Sequence, residues 1–283
     1  MARQRLGQHF LGDAGWRETI ARAIRVSSHG IEFTRSANAQ EICWIEVGAG
    51  HGEMTEHLVQ TGAPVYAIEL DPLLTERLRA LAKKHPSLTV VPGDVLETDL
   101  AAIAAGRRIT IYGNLPYYIT SPILHHFFQF ASHIDEIHLV IQLEVAERLT
   151  APPGTSAYGY LSVATQFYAR PEFVLDLPPG AFRPPPEVDS ALVTLRLPGT
   201  AVLPPQYSPE EFLEFVKICF AQKRKTLANN LKSLVNATRT RELLNSLGIR
   251  EDARAEQLNV RDFVRLYDAT FSARPAAGPD SHS

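Results

Sequence analysis

The stretch IEVGAGHGEMTEHL, residues 45–58, decides how this chain folds. Its first residues are mostly apolar, three glycines follow at alternate positions, and the remainder has the mixed apolar and polar pattern of an amphipathic helix. We therefore expect a buried strand, a tight turn and a helix. This is the opening unit of an α/β domain that binds a nucleotide-like cofactor beside the turn.

The spacing of the glycines limits the choice of cofactor. Glycine lets the backbone approach a ligand closely and adopt positive φ. A dinucleotide fingerprint needs its third glycine where this chain has Glu53, which argues against a nicotinamide or flavin pyrophosphate. Gly48, Gly50 and Gly52 suit a cofactor without phosphates, and Glu46 is placed to reach a cofactor ammonium directly or through water. S-adenosylmethionine has both features.

Two acidic residues follow the next two apolar runs. Glu69 comes roughly 20 residues after the glycines, the spacing at which a carboxylate accepts both ribose hydroxyls. Asp71 precedes a proline and is interpreted as a helix N-cap. Asp94 follows the third apolar run and is expected to accept a hydrogen bond from the cofactor adenine amine, with Val95 beside the ring. A lone Asp after Gly is ordinarily a turn residue, but its place in this series favours the ligand.

The pentapeptide NLPYY, residues 114–118, follows another apolar run. The exocyclic N6 of adenine is a poor nucleophile unless hydrogen-bond acceptors stabilise the charge that develops on it. The Asn114 side chain and the Leu115 carbonyl supply acceptors, Pro116 adds no competing donor, and Tyr117 can lie flat against a flipped base. The same residues also suit an ordinary turn with a packed tyrosine. Beside the cofactor loop, they favour methyl transfer to adenine in a nucleic acid.

On these motifs the chain resembles the ribosomal RNA adenine N6-dimethyltransferase family, most closely its bacterial small-subunit branch. The segments around Gly48, Glu69, Asp94 and Asn114 follow in family order. Three further blocks agree with the family: RLGQHFLGD at residues 5–13, FRPPPEVDS at 182–190 and FAQKRKTL at 220–227.

The resemblance implies a fold, an activity and a set of site residues. The fold is a Rossmann-like α/β sheet that binds S-adenosylmethionine, with a smaller all-helical second domain. The activity is methylation of two adjacent adenines in the 3′-terminal loop of 16S rRNA to N6,N6-dimethyladenosine during small-subunit biogenesis, with S-adenosylhomocysteine as product. The implied cofactor residues, together with those argued above, are His9, Leu11, Glu46, Gly48, Gly50, Glu69, Asp94, Val95 and Asn114.

The implied base site consists of Asn114, Leu115, Pro116, Tyr117 and Phe182. Tyr117 and Phe182 are expected to sandwich the flipped adenine, and such stacking is worth roughly 1–3 kcal/mol per base. Phe182 has an alternative interpretation as a core aromatic in a proline-rich loop.

Two other functions stay open at this point. One is a large-subunit (23S) rRNA adenine methyltransferase that confers antibiotic resistance, and the other is a ribosome-assembly factor in which methylation is secondary. The block at 220–231 favours the small-subunit enzyme, and the intact cofactor and base motifs argue against lost catalysis.

Charge is unevenly distributed along the chain. The formal net charge is −3, yet residues 217–241 contain seven Lys and Arg and no Asp or Glu. Such a run is often a solvated face, but it also suits contact with phosphates. The expected RNA contacts are Arg3, Arg5, Lys223, Arg224, Lys225 and Lys232.

Composition and the positions of polar, proline-rich and glycine-rich segments set the remaining expectations. We expect a catalytic domain at 1–198, a helical rRNA-recognition domain at 206–271, a disordered tail at 272–283 and a surface-loop insertion at 27–40. Two cysteines, Cys43 and Cys219, suggest neither a disulfide framework nor a zinc site, and no metal is expected. The 283 residues show no membrane span or targeting peptide, so a cytoplasmic monomer that acts on immature small subunits is expected.

Overall fold

The computed structural model describes residues 9–27, 41–116 and 118–272. Arg3, Arg5, Tyr117, the segment 28–40 and residues 273–283 lie outside the described residues, and so do the expectations for them.

The described chain divides into two compact units. The sheet unit holds the residues up to Thr150 together with Tyr168–Pro198, and the helical unit holds Ala151–Phe167 and the residues from Gly199 onward. Ala151–Phe167, which lies within the range expected for the catalytic domain, groups with the helical unit. Within that unit the buried Tyr158 donates a hydrogen bond to the Leu258 carbonyl oxygen over 2.9 Å. Contacts of this kind, between residues distant in sequence, cannot be predicted from the local sequence pattern.

Seven strands of the described residues form one sheet. They are β1 (Ile42–Val47), β2 (Val65–Glu69), β3 (Leu88–Pro92), β4 (Arg108–Asn114), β5 (Ile134–Gln142), β6 (Arg170–Leu177) and β7 (Ser190–Arg196). Their order across the sheet is β3-β2-β1-β4-β5-β7-β6. The first five strands are parallel, and β7 pairs antiparallel with both β5 and β6. The predicted α/β class is confirmed.

In the described part of the sheet unit, one α-helix precedes β1 and one follows each of the strands β1 to β5. These helices are α1 (Ala14–Ser27), α2 (Thr55–Leu58), α3 (Pro72–Ala82), α4 (Leu100–Ala104), α5 (Thr120–Gln129) and α6 (Leu143–Thr150). The Asp71 side chain accepts a hydrogen bond from the Leu73 N–H at the start of α3, and Pro72 occupies the first turn. This confirms the N-cap interpretation of Asp71, because the proline lacks only an N–H that a first turn leaves unpaired.

The strand order fixes where a ligand can bind. The chain runs outward from β1 to β2 and β3, and then crosses to β4 on the other side of β1. Loops that leave β1 and β4 therefore diverge and open a crevice at the carboxyl ends of the strands. Gly48, Glu69 and Asn114 all lie at this edge.

The helical unit contains α7 (Tyr160–Tyr168), α8 (Pro209–Cys219), α9 (Leu227–Asn230), α10 (Ala237–Ser246) and α11 (Val260–Phe271). The Ser208 side chain caps α8 by accepting a hydrogen bond from the Glu211 N–H. The rings of Phe212 and Phe215 lie 5.6 and 5.3 Å from the Tyr267 ring, which joins α8 to α11. Across the described residues of both units, no helix has the length and apolarity needed to span a bilayer.

Candidate active site

A cleft lies at the carboxyl edge of β1, β2 and β4. It encloses about 530 Å³ of space, part of which is open to solvent. Six of its lining residues were predicted as site residues from sequence: Gly48, Glu69, Asp94, Val95, Leu115 and Pro116. Its other walls are largely apolar and come from Val47, Ile68, Leu70, Gly93, Tyr118, Ile119 and Ile123.

The glycine loop begins at this cleft, whose lining includes Gly48. Gly48, Gly50 and Gly52 have φ values of +68°, +59° and +89°, which side chains other than glycine rarely adopt. The Gly48 N–H donates to the Ile68 carbonyl oxygen over 3.0 Å. A Cβ at Gly48 would stand 4.0 Å from the Asn114 backbone oxygen. The loop therefore lies close to the end of β4 as well as β2.

Glu69 is buried at the end of β2 and lines the cleft. One carboxylate oxygen accepts a hydrogen bond from the Gly50 N–H at 2.8 Å, and the other accepts from the Asp71 N–H at 2.9 Å. A carboxylate has about four acceptor sites, so each oxygen retains capacity for a ligand hydroxyl. The side chain is thus held in place before any ligand arrives.

Asp94 follows β3 and also lines the cleft. One of its oxygens accepts a hydrogen bond from the Leu96 N–H at 2.9 Å and caps the short turn Val95–Glu97. The turn role and the ligand role are therefore compatible, because the carboxylate retains further acceptor sites beside the buried Val95.

Glu46 has a different setting from the other acidic residues. It is buried behind the glycine loop, outside the cleft lining, and accepts a hydrogen bond of 2.5 Å from the Thr55 hydroxyl. Burial raises the pKa of this carboxyl to about 8, and the nearby charges of Glu53 and Glu69 add to the effect. The observed contact ties β1 to the start of α2, and the expected contact with a cofactor ammonium stays a prediction.

Asn114 ends β4 beside the glycine loop. Its side-chain Nδ2 donates a hydrogen bond to the His9 backbone oxygen over 2.8 Å. Leu115 and Pro116 follow at the rim of the cleft. Tyr118, which is 62% exposed, lines the same rim. The sequence analysis selected the first tyrosine of the motif only, although the second was an equally visible signal.

Five other predicted site residues are not among those that line the cleft: His9, Leu11, Gly50, Asn114 and Phe182. Phe182 is only 1% exposed and packs in the core with Leu11, Ala181 and Leu192. This placement argues against the predicted stacking of Phe182 on a base and agrees with the alternative of a core aromatic. Leu11, predicted beside the cofactor, belongs to the same core cluster. His9 is also outside the lining, and its Nδ1 lies 2.8 Å from the Pro184 oxygen.

Several cations of the basic run, residues 217–241, already have hydrogen-bond or ion-pair partners within the protein, although the run itself contains no acidic residue. Lys217, Arg239 and Arg241 form ion pairs with Glu214, Glu242 and Glu251, all of which lie outside the run itself. The Lys223 ammonium donates to the Ser156 oxygen over 2.9 Å. Among the described residues, four exposed cations of the run have no acidic partner within ion-pair distance: Lys223, Arg224, Lys225 and Lys232.

Metal-ligating residues are scattered. In the part of the chain that the structure describes, no three His, Cys, Asp or Glu side chains group as metal ligands. Cys43 and Cys219 are both buried and unpaired with each other, and burial raises the pKa of the Cys43 thiol to about 11. Both therefore behave as core residues.

Comparison with known proteins gives consistent relationships. A family model described as "Ribosomal RNA adenine dimethylase" matches residues 1–270. "Ribosomal RNA small subunit methyltransferase A" of Xanthomonas campestris pv. campestris (strain B100) is 38% identical over 94% of this chain and 95% of its own length. The protein of the same name from Pseudomonas syringae pv. syringae (strain B728a) is 39% identical over 94% of each chain.

Two solved structures are similar over most of the chain. The 23S rRNA methyltransferase ErmE is 27% identical, with a TM-score of 0.66 over 92% of this chain and 99% of its own. A dimethyladenosine transferase from Plasmodium falciparum is 24% identical, with a TM-score of 0.72 over 91% of this chain and 96% of its own, and supports the fold.

Proposed function

Because the chain belongs to the ribosomal RNA adenine dimethylase family, we propose that it methylates N6 of two adjacent adenines in the 3′-terminal loop of 16S rRNA. Each adenine becomes N6,N6-dimethyladenosine, with S-adenosylmethionine as methyl donor and S-adenosylhomocysteine as product. One observation carries the proposal. A single cleft is lined by Glu69, Asp94, Leu115 and Pro116, and Asn114 directly precedes the last two at the end of β4, so cofactor and base would meet there.

The residues present fit S-adenosylmethionine. Glu69 is rigidly held and has acceptor capacity for two ribose hydroxyls, while Asp94 can accept from the adenine amine. Ile68 and Val95 give the adenine ring an apolar wall. The bound cofactor supplies an electrophilic methyl group. A glycine loop without a third glycine at Glu53 matches a ligand that has no pyrophosphate.

The base half of the cleft would hold adenine and stabilise charge at N6. The Asn114 amide oxygen and the Leu115 carbonyl accept hydrogen bonds from the N6 amine, and Pro116 contributes no competing N–H. Tyr118 at the exposed rim is placed to contact the flipped base or its neighbour. Tyr117, outside the described residues, keeps its proposed stacking role. Direct transfer needs no covalent enzyme intermediate, because orientation and charge stabilisation supply the rate gain.

The small-subunit substrate is favoured by sequence relationship. Relatives named as small-subunit methyltransferases are 38–39% identical over 94% of the chain, whereas the 23S enzyme ErmE is 27% identical. The likeness to ErmE makes large-subunit RNA the second candidate. The ordered Glu69 and Asp94 carboxylates argue for a working enzyme and against a factor that only binds.

RNA would contact the cations of the helical unit that lack acidic partners among the described residues. Arg224 and Lys225 are the strongest candidates, with Lys223 and Lys232 beside them in sequence and Arg3 and Arg5 outside the described residues. Salt titration of RNA binding tests this assignment. Arg224→Ala should reduce the salt slope by about one, whereas Arg239→Ala, which removes a residue paired with Glu242, should change it less. Equal slopes for both variants would contradict it.

The proposed partner is an immature small subunit, which a cytoplasmic monomer would bind. We would incubate the protein and labelled S-adenosylmethionine with unmethylated small subunits, large subunits and naked rRNA, and then map the modified nucleoside. Dimethyladenosine in the 3′-terminal loop of 16S rRNA, lost in Asn114→Ala, is the expected result. Label on large-subunit RNA would support the second candidate, and binding without transfer would contradict an enzymatic function.

A further inference from the structure

The segment 9–13 contacts the loop that carries Phe182, the glycine loop and α1, and its His9 backbone oxygen accepts a hydrogen bond from Asn114. We call it the strap. The Phe10 N–H donates to the Arg183 oxygen over 3.1 Å, and the Arg183 N–H donates back to the Phe10 oxygen over 2.8 Å. The Asp13 N–H donates to the Ala181 oxygen over 3.1 Å. The strap is therefore held like a short strand against the loop that carries Phe182.

The strap also contacts the glycine loop and α1. The Phe10 ring lies 4.5 Å from the His51 ring, and its edge would stand 3.0 Å from a Cβ placed on Gly50. The Arg17 guanidinium of α1 donates to the Leu11 and Gly12 oxygens over 2.9 and 3.0 Å. Three separate elements thus fix the position of one short segment.

The strap affects the reaction site through the His9 backbone oxygen, which contacts the Asn114 side chain. This oxygen accepts the hydrogen bond from Asn114 Nδ2. An Asn amide carries a donor group on one side and an acceptor oxygen on the other, so holding Nδ2 on the strap leaves Oδ1 for the opposite side. In the reverse orientation the Asn114 NH₂ group would face the adenine N6 amine, and two hydrogen-bond donors would oppose each other. The strap therefore determines which face of the amide a substrate meets.

We propose that the strap is a positioning element that keeps the Asn114 amide oriented with its oxygen toward the target amine, with Phe10 and Gly12 acting through Asn114. The proposal rests on the proposed function. Phe10 locks the strap against the glycine loop. Gly12 permits its close approach to the neighbouring loop, because a Cβ there would stand 2.4 Å from the Arg183 Cγ. The cofactor carboxylates are fixed by other contacts and do not depend on the strap.

The test compares Gly12→Ala and Phe10→Ala with matched controls. Gly180→Ala adds a methyl group in the adjoining loop, where a Cβ meets no atom within 4 Å. Phe10→Tyr keeps the ring against His51. The first readout needs no substrate: exchange of the Asn114 side-chain NH₂ protons with water, measured by NMR on selectively labelled protein. The second is kcat and the KM for S-adenosylmethionine in methyl transfer to rRNA.

Gly12→Ala and Phe10→Ala should accelerate exchange of the Asn114 NH₂ protons and lower kcat by on the order of tenfold or more, with cofactor KM within about twofold. Both controls should behave as wild type. In an Asn114→Ala background, Gly12→Ala should produce no further loss, since it acts through the missing amide. Unchanged exchange, a rise in KM without a fall in kcat, or an equal loss in the Asn114→Ala background would each overturn the proposal. If the wild type methylates no rRNA, the proposed function fails, while the exchange measurement still tests the contact.

Discussion

The two halves of the cleft are held in different ways. In the cofactor half, Glu69 is fixed by backbone N–H groups of Gly50 and Asp71, at most 19 residues away, and Asp94 by one only two residues away. In the base half, the Asn114 side chain is fixed by the His9 oxygen, 105 residues away. The cofactor half is thus built from one or two adjacent βα units, and the base half depends on the assembled fold.

This difference explains where sequence reasoning succeeded. Motifs with local hydrogen bonds carry their geometry with them, since turn, cap and ligand residues are close in sequence. Contacts made across the fold carry no such signal. Phe182, expected from sequence to stack on the base, is buried in a core cluster that also contains the distant Leu11, and no local pattern indicates this placement.

The largest effect separates the two interpretations of Phe182. Phe182→Ala should lower the free energy of unfolding by about 3–5 kcal/mol, because it removes a ring from a packed core. Denaturant unfolding measures this, and Phe173→Ala, at a 37% exposed ring in β6, is the matched control with a smaller loss. A Phe182→Ala protein of normal stability that fails to bind RNA would restore the stacking role and remove the contrast between the halves.

The second-largest effect is expected on kcat, from a substitution in the base half. Asn114→Ala should reduce kcat about 10²–10³-fold, as expected for a group that stabilises charge developing in the transition state. Cofactor affinity, measured by calorimetry with S-adenosylhomocysteine, should change little, since Glu69 and Asp94 remain held. Asn245→Ala, at an exposed position of α10, is the control. An equal loss of cofactor affinity would mean that the two halves are one functional unit.

A substitution in the cofactor half should instead weaken cofactor binding. Glu69→Ala should weaken S-adenosylhomocysteine binding about 10–100-fold, because hydrogen bonds to a charged group are worth about 1.5–3 kcal/mol. Glu76→Ala, which removes an exposed carboxylate paired with Arg79, should bind as wild type. RNA binding should survive both substitutions. If Glu69→Ala leaves cofactor affinity unchanged, the ribose assignment is wrong.

The last test concerns pH and Glu46. Its carboxyl pKa is raised from 4.5 to about 8, so the folded state holds a proton that the unfolded state releases as pH rises through this window. Wild-type stability should therefore fall between about pH 4.5 and 8, by at most ~1.4 kcal/mol per pH unit from this group. Glu46→Gln should lack this decline when unfolding is followed across the same pH range. Parallel stability curves for the two proteins would contradict the burial argument.

Much of the fold could be predicted from the sequence. The glycine turn, the Asp71 cap and the alternation of apolar strands with helices all depend on neighbours within a few residues. The bounds of short elements could not be predicted, and an example is the helix Leu227–Asn230, which is followed directly by the 3₁₀ turn Leu231–Ser233.

The unpredicted features depend on distant partners. Ala151–Phe167 joins the helical unit through contacts such as that of Tyr158 with Leu258, 100 residues away. The basic run contains no acidic residue, but Arg241 forms an ion pair with Glu251, ten residues further along the chain. The strap and its bond to Asn114 are likewise invisible to any local pattern.

A crystal structure of the protein with S-adenosylhomocysteine would decide whether this cleft works as described. The ribose hydroxyls should lie within hydrogen-bond distance of the Glu69 carboxylate and the adenine amine near Asp94, while Asn114 Nδ2 stays on the His9 oxygen. A ligand bound elsewhere, or one in the cleft that leaves Glu69 uncontacted, would contradict the division of the site into a cofactor half and a base half.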